Sequence, residues 1–461
     1  MLSSKFVRPA SLVIGAGTAL SAFGIASPAL ATTDCSGVTP IDATELALRN
    51  ALDNGDTLIC INPGTIDFGT TGVDSDASVI SVGHDVTIVG IGNVVFDGTG
   101  SAASALLTAG DPDIDLWVEN VTVQNFSSNT SEWPAVIGAR TSGTVTIIGS
   151  TFQANTGYSM VGGVDYLDTF TDGDFADIVI SDTVFVNNHT TRGTVWGYGD
   201  ITVTDSTFIN SDSDTSAGIL AWSDESIPET TLTVSGSTFD NNESGTDPLI
   251  YSDADEALVY NNTITNNIGD SSYGGVFDGV AGNHSVFAFN TVMFNSSANS
   301  SDVYSENDTD LELLGNIFNP NESHSFSAEG LTDPTDLGGN YSTGDDADIL
   351  TAASSHASIQ ESTLSLDSAL DNNGGYTDTW AIGTGSVAID AVPAADAEAA
   401  LGFAVTTDQR GEDRVGPIDA GAYEFGSELA STGFDATGIA LTGGALAVGG
   451  IAIAARRRRK A

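Results

Sequence analysis

The sequence predicts an all-β fold, a parallel β-helix of short strands stacked coil upon coil, and three observations predict it. Versions of Leu232-Thr-Val-Ser-Gly-Ser-Thr-Phe-Asp-Asn-Asn242 recur as Val145 to Asn155, Ile178 to Asn188 and Ile201 to Ser211. Their anchors, with weaker copies, are Val123, Phe152, Phe185, Phe208, Phe239, Ile264, Val292 and Ile317, at steps of 29, 33, 23, 31, 25, 28 and 25 residues, a solenoid period. Within a copy Leu232, Val234 and Phe239 are apolar while Thr233 and Ser235 are polar, the alternation of a strand with one buried face. Between the strands lie Asn, Asp, Ser and Gly turns and no sustained helical period, so each repeat can bury its apolar face only against its neighbours.

In chain order, Lys5 and Arg8, the apolar run from Ser11 to Ile25 and Ala29-Leu-Ala31 make a secretory signal peptide over 1–31, cut between Ala31 and Thr32. Export permits a disulfide, and Cys35 and Cys60, the only cysteines, allow one intramolecular pairing; two buried free thiols are the other reading. Residues 32–56 form an N-terminal cap. Thr39 is expected at the N-cap of a short helix with Pro40 at its first position, and Leu48 and Leu52 one turn apart before Asn54-Gly55. Such a helix would cover the open first coil.

Strands begin at Thr57 to Ile61 and Val86 to Val89, and the repeats are expected to run over 57–358, with the stretch beyond Asn321 as irregular final coils or a linker. A second apolar row follows each anchor: Val136-Ile137, Val161, Val195-Trp196, Ile219-Leu220, Leu249-Ile250, Val276-Phe277 and Val303-Tyr304. Asn155, Asn188, Asn242, Asn267 and Asn295 are expected to stack into an internal ladder, a structural role rather than a binding one. From Thr57 to Asn321 the Ser-Thr-Phe-x-x-Asn copies resemble right-handed β-helix proteins, especially those of bacterial surfaces. That resemblance implies the hand of the coil and no particular activity, because adhesins, pectin-degrading enzymes and phage tail spikes share the stack.

Near the C-terminus, Asp371 to Trp380, Gly385 to Ala391, Asp408-Gln-Arg-Gly411 and Arg414 to Glu424 resemble the choice-of-anchor Q domain, here placed at 359–426. The resemblance implies a position at the end of a surface β-helix, ahead of a sorting signal. Arg410 and Arg414 stand there with Asp408, Asp413, Asp419 and Glu424, either as a ligand cluster or as ion pairs closing the last rung. Leu429-Ala430-Ser431-Thr432-Gly433, the uncharged stretch 438–455 and the basic tail 456–461 then resemble a Gram-positive cell-wall sorting signal in its Leu-Ala-x-Thr-Gly form, associated with high-GC bacteria. The stretch is long enough for a transmembrane helix. By that resemblance a sortase cysteine attacks the carbonyl of Thr432, releases Gly433 onwards and passes Thr432 to peptidoglycan; a plain membrane anchor is the alternative.

Net charge −50, with no lysine between Thr32 and Thr432, excludes nucleic-acid binding. The acidity reads as a solvated coat or as calcium sites, with Asp172 and Asp174 and the run Asp345-Asp346-Ala-Asp348 as weak Ca²⁺ candidates; no other cofactor is implied. No catalytic residue is singled out. Of the repeats' basic residues only Arg140 and Arg192 remain, and His84, His189, His284, His324 and His356 are scattered without metal-ligand spacing. Trp133, Trp196, Tyr198, Trp222 and Tyr251, one row along successive coils, could stack on sugar rings or fill the core. The expectation is a wall-anchored stalk or adhesin with sortase, peptidoglycan and a glycan or surface protein as partners; the alternative is a wall-tethered polysaccharide lyase or glycoside hydrolase.

Overall fold

Ser-Thr-Phe copies become rungs. The computed structural model describes residues 33–68, 80–101, 105–109, 113–127, 135–139, 142–163, 175–223, 230–269, 275–279, 284–297, 302–305, 310–321, 325–328 and 333–426. Each full coil contributes a strand to sheet A, then sheet B, then the short sheet D, then sheet C; A and B have eleven strands, C ten and D six, and every strand pairs in parallel with its counterpart in the next coil. Parallel neighbours joined by the rest of a coil take the right-handed crossover. The product is an all-β parallel solenoid.

In sheet B the anchors pair as Val123, Phe152, Phe185, Phe208, Phe239, Ile264 and Val292, but the next in register is Phe318, not Ile317. Ile317 points to the outer face beside Thr291, because two adjacent apolar residues made the phase ambiguous. Inside, Phe152, Phe185, Phe208 and Phe239 stack at centroid spacings of 5.1, 4.8 and 4.6 Å. Sheet C follows the second apolar row, with Ile137, Val161, Val195, Ile219, Ile250, Phe277 and Val303 in register.

Asparagine fills the B–D corner as expected. Asn155 Nδ2 donates to Asn188 Oδ1 at 3.1 Å, and Asn242 to Asn267 and Asn267 to Asn295 at 2.9 and 3.0 Å, while each amide also serves a carbonyl of the preceding coil. Ser211 bridges the missing rung. A second ladder, at the A–B corner, runs Ser150, Thr183, Ser206, Ser237, Asn262, Asn290, Asn316 and Asn340, each backbone N–H donating to the next side-chain oxygen. Each member directly follows a left-handed corner residue, as in Asp205-Ser206 and Gly236-Ser237.

Helix α1 spans Glu45–Asp53 with Thr44, not Thr39, as N-cap: its hydroxyl accepts from the Ala47 amide at 3.2 Å. The chain around Pro40 is extended instead, since Ile41 pairs with Ile61 as an added sheet residue. Gly55, at φ 78°, closes the helix, its N–H donating to Leu52 and that of Asp56 to Ala51. Leu48, Ala51 and Leu52 join the solenoid core. Cys35 is disulfide-bonded to Cys60.

Beyond Asn321 the rungs continue where irregular coils were expected: Phe326–Ala328, Thr335–Gly338 and Tyr341–Ser342 extend sheets C, A and B. Residues 359–426, with α2 (Glu361–Leu364) and α3 (Ala394–Leu401), meet the last rung, where Ile359 N donates to Ser342 O and Leu364 packs with Tyr341, but do not end there. They run as a strap along the outside of the A–B corner. Thr377 Oγ1 donates to Gly236 O, Asn261 Nδ2 to Thr407 O, Thr263 Oγ1 to Gln409 Oε1, and Gly421 N to Gly315 O. The solenoid prepares for this by making its outer face apolar: Val286, Ala288 and Leu314 of sheet A pack with Val392, Ala397 and Leu401, and Met293, Ile317 and Tyr341 of sheet B with Leu364, Trp380 and Tyr423. In the row where Leu258 and Val286 stand, earlier coils carry Thr87, Thr146, Thr202 and Thr233, interrupted by Trp117 and Val179.

Among the described residues no helix is long and apolar enough to cross a membrane. The signal peptide and its cut at Ala31 and Thr32, and the sorting segment Leu429, Ala430, Ser431, Thr432, Gly433 with 438–461, lie outside them.

Candidate functional site

The outer face of sheet C gathers the aromatics. Val161, Val195, Ile219, Ile250 and Phe277 point inward, so the two-residue period turns Gly162, Trp196, Leu220, Tyr251 and Asp278 outward in one row. Trp196 is only 3% exposed, so it serves as packing rather than as an open platform. Tyr158 meets it edge-on at 5.0 Å, and Tyr158, Trp196 and Leu220 form a small outer core against which the half-buried Tyr198, Trp222 and Tyr251 lean.

Trp196 and Tyr198 also belong to the same coil, 6.1 Å apart, which breaks the expected one-aromatic-per-rung arrangement. Tyr198 in turn stacks on Phe175 at 5.1 Å and meets Trp222 at 5.9 Å. The exposed part of the platform is therefore Tyr198, Trp222 and Tyr251. The Trp196 indole N–H is buried without an acceptor among the described residues.

Arg192 precedes the strand Gly193–Gly197, yet its guanidinium lies 5.1 Å from the Trp222 ring, beyond the far end of the neighbouring strand Ser216–Ala221. The side chain thus runs across the face, and its Nε donates to the Tyr158 hydroxyl at 2.9 Å. Two carboxyls border the platform. Burial pushes Asp247 up and the Arg192 charge pulls it back; burial also pushes Asp253 up, opposed by hydrogen bonds from Ser223 and reinforced by Asp255. A planar cation, half-open rings and bordering carboxyls suit a hydroxylated ring, with stacking on its C–H face and directed hydrogen bonds at its rim. Tyr158, Phe175, Asp247 and Asp253 carried no sequence signal, because only the coil stacking brings them to this face.

Other expected sites come out as structure. Arg410 donates to Asp408 Oδ2 at 2.7 Å with its guanidinium 3.6 Å from the Tyr423 ring centre, and Arg414 pairs with Glu424 at 3.1 Å while bonding Asn261 of the solenoid. These side chains are buried, and burial pulls Arg414 down and pushes Glu424 up, each opposed by the partner's charge. They rivet the strap. Of the acidic run 345–348, Asp346 is buried, and its carboxylate accepts from Ser325 N at 2.8 Å and from the Ser342 hydroxyl. Among the described residues no group of three His, Cys, Asp or Glu side chains could hold a metal ion. Asp172, Asp174, Trp133, Arg140 and His324 lie outside them. His189 bonds Asp212, which raises its pKa, His284 stands 3.8 Å from Glu312, and the His356 ring packs on Tyr341.

No protein-family model and no curated protein matches the chain. Among solved structures, the crystal structure of pectate lyase Pel9A is similar at a TM-score of 0.40 and 14% identity, over 80% of this chain and 87% of that one, too slight a likeness to carry an argument about activity.

Proposed function

We propose that this β-helical protein is exported, joined covalently to the bacterial cell wall through Thr432, and presents the outer face of sheet C to a polysaccharide as an adhesive stalk. The observation that carries the binding half is the half-buried platform of Tyr198, Trp222 and Tyr251 crossed by Arg192. The order of Leu429 to Gly433, an uncharged stretch and a basic tail carries the anchoring half. Sortase and peptidoglycan are then the partners at the C-terminus, with calcium as a candidate ligand of Asp172 and Asp174 on the basis of sequence alone.

The test uses the exported protein on a panel of neutral and acidic polysaccharides, with calcium or with chelator. We expect retention of one class without shortening of the chains. Trp222→Ala should weaken it about tenfold, the scale of one lost aromatic contact, with the circular-dichroism spectrum unchanged. New oligosaccharides in the mass spectrum would instead establish the wall-tethered polysaccharide-degrading enzyme. Thr432→Ala should move the protein from the fraction released by a wall hydrolase to the one released by detergent; unchanged fractionation would defeat the anchoring claim.

A further inference from the structure

At the N-terminal end, sheet A carries a short arm on its outer face. Cys60, Val89 and Glu119 form one outward row over the first three rungs. Cys35 is bonded to Cys60, while Thr33 donates its amide N–H to Glu119 Oε1 at 3.1 Å and its hydroxyl to Oε2. The arm therefore crosses two strand spacings, about 10 Å, and Val89 is buried along that row. Trp117 Nε1 adds a bond to Glu119 Oε2 at 3.2 Å. Glu119 itself is 0% exposed, so a carboxylate stands closed off from water at the point where the arm begins.

Cleavage after Ala31 would leave Thr32 as the first residue, one place ahead of Thr33. One residue of extended chain spans about 3.5 Å, so the new amine is created within reach of that carboxylate. We propose that Glu119 is the seat of the mature N-terminus: its carboxylate pairs with the α-ammonium of Thr32 and locks the arm onto sheet A. The proposal rests on reading 1–31 as a leader cut after Ala31.

Before the cut the Thr32 nitrogen is an amide and can offer the carboxylate one hydrogen bond and no charge. Hydrolysis adds water across the Ala31–Thr32 peptide bond; Ala31 keeps the carboxylate, Thr32 keeps the amine, and the amine takes up a proton at neutral pH. The new positive charge adds direct Coulomb attraction to the carboxylate, and a site closed to water screens it less. Export processing thereby tightens the first coils: the arm is held by hydrogen bonds to the carboxylate in the precursor and by those bonds plus an ion pair in the exported protein.

The experiment exports the full chain through its own leader, reads its first residue by mass spectrometry, and titrates the α-amine by its rate of reductive methylation. We expect Thr32 first, with an amine pKa raised by about one unit from its ordinary value near 7.7, which slows labelling about tenfold at neutral pH. Glu119→Gln should abolish the slowing. So should an extension of two alanines ahead of Thr32, which keeps the Thr33 bonds and moves only the charge, and which covers the case that Glu119→Gln fails to fold. Both variants should melt at a lower temperature than the mature protein. A first residue other than Thr32 would defeat the leader reading alone, and a protein made to start at Thr32 by a specific protease would then test the seat. An amine of ordinary pKa in the Thr32-started protein, or an extended form that is equally stable, overturns the proposal.

Discussion

Asp205 occupies a left-handed corner at φ 50°, and its Oδ1 lies 2.2 Å from where a Cβ of Gly236 on the next rung would stand, so the carboxylate fills the space that a glycine leaves there. Burial, with the nearby Asp182 charge adding to it, pushes its pKa from 3.8 up to about 7. The fold thus binds a proton that the unfolded chain releases, and the sign follows: the contribution of Asp205 to stability is complete below the unfolded value of 3.8 and is lost as pH rises toward 7. Asn keeps the shape, tolerates the left-handed backbone and carries no charge. We expect Asp205→Asn to stabilise the protein at pH 8, by up to about 4 kcal/mol for a shift of about three units, and to match the wild type below pH 3.8. Denaturant unfolding at both pH values checks it; a variant no more stable at pH 8 would show that the buried carboxyl costs nothing when ionised.

The strap is the element whose hold on the solenoid depends most on polar bonds, and Gln409 is its central contact. That side chain is 1% exposed; its amide donates to Thr238 Oγ1, Thr377 Oγ1 and Asp378 O, and its carbonyl accepts from Thr263 Oγ1. Gln409→Ala would leave the buried Thr263 hydroxyl without its acceptor, at about 1–3 kcal/mol, while the Thr377 and Thr238 hydroxyls keep their bonds to Gly236 O and Asp378 O. Hydrogen exchange should then quicken for amides of 377–424 while the rungs of 58–124 keep their protection; equal acceleration in both would mean that the strap and the coils open as one unit. The rungs were legible in the sequence because Phe152, Phe185, Phe208 and Phe239 repeat in register with a following polar turn. The Asn155 to Asn295 ladder was legible for the same reason. The second ladder was not, since Ser150, Thr183, Ser237 and Asn290 change identity from rung to rung and only their place after a left-handed residue is constant. The helix start was misplaced because Thr39-Pro40 has the local form of a cap, whereas pairing of Ile41 with Ile61, a contact twenty residues away, keeps that stretch extended. Of the expected platform, Tyr198 and Trp222 meet on one face, but the burial of Trp196 depends on Tyr158, placed there by the preceding coil.

At the scale of the whole molecule, a solenoid is held together by neighbour contacts, so its two ends can fail separately. The N-terminal coils have α1, the disulfide and the arm on Glu119. The C-terminal coils have the strap, and their outer surface is built for it. Val286, Ala288, Phe289 and Leu314 on one side, with Met293 and Ile317 on the other, are at most 1% exposed, although sheet faces turned to water ordinarily carry polar residues and the matching rows of earlier coils hold Thr at most positions, with Val179 and Val184 among the exceptions. This break in alternation was present in the sequence at Glu256 to Tyr260 and Ser285 to Ala288. It names a covered face, but which segment covers it depends on contacts more than a hundred residues apart, such as Asn261 with Thr407. A chain ending at Ser358 would uncover a contiguous apolar patch, the kind of surface that drives association. We expect that fragment to bind a hydrophobic dye and aggregate, with hydrogen-exchange protection of 58–124 retained in what stays soluble. Replacing Leu258, Val286 and Ile317 by Thr should restore solubility without the strap, because those rows then become as polar as in the earlier coils, where Thr prevails. A dye-silent, monomeric fragment lacking 359–426 would mean that the outer apolar rows are satisfied within the solenoid, and that the strap adds an anchor point rather than a cover.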